Sequence, residues 1–98
     1  MFIVLLQYKK PLTFIENYLN EHRQFLDEAY KRGLFIASGP KNPRDGGIIL
    51  SHMKDREQLE AILQQDPFYI HQVAEYQIIE FIPNKYHPNF APFINTDN

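Results

Sequence analysis

The sequence predicts an α+β domain in which strands and helices alternate as βαββαβ. Three observations carry that reading. Four short runs rich in β-branched and aromatic residues are bounded by turn formers. Two intervening segments repeat apolar residues at helical spacing. The chain of 98 residues is the size of one ordinary domain, so residues 1–98 are expected to form a single unit.

The first strand runs from Phe2 to Tyr8 and stops at Lys9-Lys10-Pro11. Phe2, Val4 and Leu6 alternate with Ile3 and Leu5, so both of its faces are apolar, as in a strand covered on both sides. Thr13 followed by Glu16 has the form of a capping box that opens a long helix. Ile15, Leu19, Leu26 and Ala29 form the apolar stripe of that helix, and Gly33 is its natural stop. Leu34 to Ser38 and Gly47 to His52 read as the second and third strands, a hairpin joined by a broad loop of turn formers. Asp55 with Gln58 caps a second helix, which buries Leu59, Ile62 and Leu63 and which Pro67 ends. Glu75 to Ile82 is the fourth strand. Pro83, Pro88 and Pro92 then exclude regular structure, so residues 83–98 are expected as an irregular apolar tail on the domain or on a dimer partner.

This order is the ferredoxin-like split pattern, a four-stranded antiparallel sheet with two helices on one face. The other face is bare. Because the first strand is apolar on both sides, a monomer would expose a large patch there, and the sheet of a second copy is expected to cover it in a homodimer.

Composition narrows the function. Hydrophobic residues make up 44% and charged residues 22%, as in a folded globular chain. Twelve Asp and Glu against ten Lys and Arg leave a net charge of -2, so no basic field is available for nucleic acid or an anionic membrane. Cysteine is absent, which removes thiolate nucleophiles, disulfides and Cys-type metal sites, and fits a reducing compartment. The apolar start is short and lacks the flanks of a signal peptide, and no run approaches the roughly 20 residues of a membrane span, so a cytoplasmic protein is expected. His22, His52, His71 and His87 lack metal-ligand spacing, so no metal is expected.

Chemistry is expected at two inward polar residues. His22 falls in the middle of the first apolar stripe, where it is either a core histidine held by a carbonyl or hydroxyl, or a working group. Asp66 extends the stripe of the second helix, where it either shapes an Asp-Pro turn or meets a partner. Both helices lie on the same face of one sheet, so the two stripes converge and the residues are expected within hydrogen-bonding reach. A carboxylate on one imidazole nitrogen leaves the other nitrogen to move a proton. Ser38 and Gly39 end the second strand, either as a simple exit into the loop or where a hydroxyl and an N–H hold a ligand, and Arg44 in the loop is either a solvated turn charge or a clamp for an anion. Tyr8, Tyr30 and Tyr76 are candidates for lining an aromatic pocket, or for core.

Glu21-His22-Arg23, Ala37-Ser38-Gly39-Pro40, Gly46-Gly47-Ile48-Ile49 and Asp66-Pro67-Phe68 together resemble the YciI-like (YCII-related) family across nearly the whole chain. The resemblance implies a dimeric α/β barrel and an active site built on a His–Asp pair, carried here by His22 and Asp66 with Ser38 nearby. One related enzyme is a dehydrochlorinase of a chlorinated hydroxyhydroquinone, so the resemblance implies cofactor-free proton transfer on a small cyclic or aromatic substrate, of isomerase, lyase or dehydrochlorinase type. The alternative is a non-catalytic dimer that binds or senses a small molecule in the same pocket.

Overall fold

The structure, a computed structural model, describes residues 1–94. Its centre is β1 (Phe2–Tyr8), a run of β-branched and aromatic residues that leaves no edge exposed because strands flank it on both sides. On one side it pairs antiparallel with β3 (Gly46–Ser51), Val4 opposite Ile49. On the other it pairs antiparallel with β4 (Ala74–Glu80), Val4 opposite Ile78. β2 (Phe35–Pro40) closes the sheet against β3, giving the order β2-β3-β1-β4. The fold is the expected ferredoxin-like α+β arrangement, with strand limits shifted by one or two residues.

Alternation decides what the sheet buries. Phe2, Val4 and Leu6 face the helices and are buried, whereas Ile3 and Leu5 point to the open face and stay half-exposed. Ile79, opposite Ile3, is 40% exposed on the same open face. Ile15, Ala29, Leu59, Ile62, Leu63 and Phe68 complete the core from the helical side.

The first helical segment departs from expectation. It divides into α1 (Leu12–Ile15), a 3-10 turn at Glu16–Tyr18 and α2 (Leu19–Lys31). The Thr13 capping box does not form. Pro11 occupies the cap position in extended geometry, and its carbonyl accepts from the Phe14 and Ile15 N–H groups at 2.9 and 3.1 Å. Thr13 therefore lies inside the first turn, two positions too late to cap it. α2 ends at Gly33, whose φ of +72° is the left-handed stop that glycine adopts freely.

The second helical segment is also divided. Asp55 caps α3 (Arg56–Leu63) as expected, its Oδ1 accepting from the Glu57 N–H at 2.8 Å. Pro67, however, does not terminate this helix. It is the first residue of a separate turn, α4 (Pro67–Ile70), where its fixed φ and missing N–H suit the start of a helix. Asp66 is the N-cap of that turn rather than the last member of the α3 stripe.

The tail is more ordered than its prolines suggested. A 3-10 helix spans Pro88–Phe93, capped by His87, whose Nδ1 accepts from the Asn89 N–H at 3.0 Å. The Phe93 ring meets His52 edge-on at 5.8 Å, which brings this segment back to the end of β3. Residues 95–98 of the expected tail lie outside the described residues. Among the described residues, no helix is long and apolar enough to cross a membrane.

Candidate active site

His22 sits on the inner face of α2 and is 9% exposed, while Asp66 at the mouth of α4 is fully buried. The two meet as expected, though Asp66 reaches the pair from the N-cap of α4: the Nδ1–H of His22 donates to Asp66 Oδ1 over 2.7 Å. The same Oδ1 accepts from the Phe68 N–H at 3.0 Å, which is the helix cap, and Oδ2 accepts from the Tyr76 hydroxyl at 2.5 Å. One carboxylate thus takes three hydrogen bonds in the dry interior. Phe68 fixes the imidazole a second way, stacking on it at 4.0 Å with an interplanar angle of 4°. Nδ1 is committed to Asp66 and one ring face to Phe68, so Nε2 is the nitrogen left for a ligand.

That nitrogen belongs to a residue in the wall of a cavity of about 390 Å³ between α2 and the β2–β3 end of the sheet. The size is in the range of small-molecule sites. Ser38, Gly39 and Arg44 line the same cavity, so the structure gathers His22 and the three expected binding residues around one space, with Asp66 behind His22. Leu6, Leu19, Leu26 and Phe68 supply apolar walls.

The loop that carries Arg44 is held by β1. The Tyr8 N–H and the Gln7 side-chain amide both donate to the Asp45 carbonyl, at 2.9 and 3.1 Å. Gly46 must be glycine for this anchoring, because a Cβ there would stand 1.8 Å from the Leu6 carbonyl oxygen. Arg44 itself lies 3.9 Å from Glu16, a loose pair of two partly exposed side chains.

The tyrosines divide. Tyr8 lines the cavity, whereas Tyr30 stands behind Ser38, with 2.6 Å between its hydroxyl and Ser38 Oγ. Tyr76 does not line this cavity; its hydroxyl is turned to Asp66. Burial and the neighbouring Asp66 charge push the Tyr76 phenol well above the usual tyrosine range, so it stays a donor. Three contributors escaped the sequence reading: the Tyr76 hydroxyl, the stacked Phe68 ring, and Arg23 in the cavity wall. The signal for Tyr76 was its alternation with Ile78 on the inner face of β4, opposite Leu6.

The remaining histidines go elsewhere. His52 Nε2 hydrogen-bonds the Gly33 carbonyl at 2.8 Å, and His71 stacks on Tyr18 at 4.1 Å. Among the described residues, no three His, Asp or Glu side chains are grouped to hold a metal ion.

Comparison with known proteins follows this geometry. The profile of the YCII-related domain matches residues 1–82. No curated protein matches the chain in sequence. Among solved structures, the fold resembles 5-chloro-2-hydroxyhydroquinone dehydrochlorinase (TftG) from Burkholderia phenoliruptrix AC1100, solved in complex with 2,5-dihydroxybenzoquinone. The TM-score is 0.68 with 12% identity, over 83% of this chain and 93% of that one.

Proposed function

The chain belongs to the YCII-related domain family, and from that premise we propose that it is a cofactor-independent enzyme in which His22, held by Asp66, moves a proton on a small cyclic or aromatic molecule. The observation that carries this reading is the buried dyad itself, whose hydrogen bond commits Nδ1 and leaves Nε2 uncommitted on a residue that lines a cavity of ligand size. As a base, Nε2 takes a proton from an acidified C–H or O–H; the freed electron pair either shifts along the ring or expels a leaving group such as chloride. The protonated imidazole, steadied by the Asp66 carboxylate, then returns the proton to product or to water. Ser38 and Gly39 hold a ligand oxygen, and Arg44 clamps its negative charge.

The structural neighbour supports the substrate class, because that protein is a dehydrochlorinase of a hydroxylated ring and holds a dihydroxyquinone. The open apolar face supports a second part of the proposal, that two copies close their sheets face to face as a homodimer.

A thermal-shift screen of hydroxylated aromatics, lactones and small acids, followed by turnover assays on the hits, tests the enzymatic reading. His22→Ala and Asp66→Asn are each expected to lower turnover by about 10²- to 10⁴-fold. Wild-type turnover by both variants on a substrate that the native protein converts would end it.

A further inference from the structure

The charge on the wall of the His22 cavity is not explained by the dyad. Two arginines line it, Arg23 from α2 and Arg44 from the β2–β3 loop, with no aspartate or glutamate among the lining residues. This is the reverse of the chain as a whole, which carries twelve acids against ten bases.

Neither guanidinium has a carboxylate at hydrogen-bonding distance among the described residues. The Glu16 oxygen nearest Arg44 is 3.9 Å away, beyond hydrogen-bonding distance, on a side chain that is 58% exposed. Among the described residues, Arg23 makes no ion pair. Asp66 does not serve them either, since its oxygens are taken by His22, Phe68 and Tyr76 behind the imidazole. Two permanent cations therefore face one concave space whose other walls include Leu19, Leu26 and Ile49. Both side chains are exposed to solvent, so water screens part of their field, and the apolar walls offer an anion no competing negative charge. A guanidinium is planar and offers parallel N–H donors, which match the paired oxygens of a carboxylate or an ionised hydroxyquinone.

Resting on the reading of this cavity as the substrate site, we propose that it selects ligands already anionic at neutral pH. The class is a planar ring bearing a carboxylate or enolate, with the charged oxygens between Arg23 and Arg44 and another edge of the ring at His22 Nε2. A neutral ring of the same shape supplies no charge to either arginine and binds weakly.

Calorimetric titration with 4-hydroxybenzoate and its neutral isostere 4-hydroxybenzamide tests this. Wild type is expected to hold the acid at least about tenfold more tightly than the amide. Arg23→Gln and Arg44→Gln should each weaken the acid about tenfold and leave the amide unchanged, with Arg23→Lys in between. Circular dichroism checks the fold of each variant. His22→Ala keeps both arginines and should retain arginine-dependent acid binding, so turnover of His22 variants reports on the dyad and affinity reports on the arginines. Equal binding of acid and amide, acid binding that survives both Gln substitutions, or wild type that holds neither probe at millimolar concentration would overturn the proposal.

Discussion

Asp66 accepts from His22, Phe68 and Tyr76, and so joins α2, α4 and β4 at one buried carboxylate. Removing it strands three donors in the interior. Asp66→Ala is therefore expected to cost about 3 kcal/mol or more in urea unfolding, well above the cost of deleting an exposed carboxylate. Tyr76→Phe removes one of these bonds and should cost about 1–2 kcal/mol near pH 7. Its pH dependence has a definite sign. The Tyr76 phenol titrates higher in the folded chain than in the unfolded one, where it lies near 10, so its stabilisation is complete below about pH 10 and declines as pH rises beyond that. Unfolding measured from pH 7 to pH 11 should show wild type and Tyr76→Phe converging at the alkaline end. The His22–Asp66 pair was legible in the sequence because His22 is a polar residue on an apolar stripe and Asp66 falls at the stripe spacing of the preceding helix, although it caps α4 instead. Tyr76 was less so, since an inward tyrosine on a strand looks the same whether or not its hydroxyl meets a carboxylate.

At the scale of elements, the strands were readable because β-branched runs bounded by turn residues have few alternatives. The helices were readable as amphipathic stripes but not as hydrogen-bonded units. Pro11 set the start of α1 and displaced Thr13 from the cap, and a 3-10 turn then interrupted a stripe that the spacing alone reads as continuous. Asp66 was placed correctly as inward for an incomplete reason: it caps α4, and capping is what aims its carboxylate at the Phe68 N–H. The tail misled in the opposite direction, since Pro88 at the first position of a 3-10 helix starts structure as readily as it prevents it. The glycine at the entrance to β3 gives the sharpest test at this scale. Gly46→Ala puts a methyl against the Leu6 backbone, so it should separate β3 from β1 and lower stability by about 3 kcal/mol by chemical denaturation.

At the scale of the whole molecule, the strand order β2-β3-β1-β4 places both helical segments on one face, which is how residues 44 positions apart come to share a hydrogen bond. The same topology leaves Ile3, Leu5 and Ile79 on the other face, where they stay partly exposed among the described residues. Light scattering at micromolar concentration should report a dimer, and Leu5→Glu should convert it to a folded monomer. The proposed proton transfer by His22 Nε2 to and from a bound ring is read out by deuterium incorporation from D₂O into an enolisable cyclic ligand found by the screen, followed by NMR. Wild type is expected to exchange, and His22→Ala to lose about 100-fold or more of that rate. Exchange that continues at the wild-type rate in His22→Ala would contradict the proposed transfer.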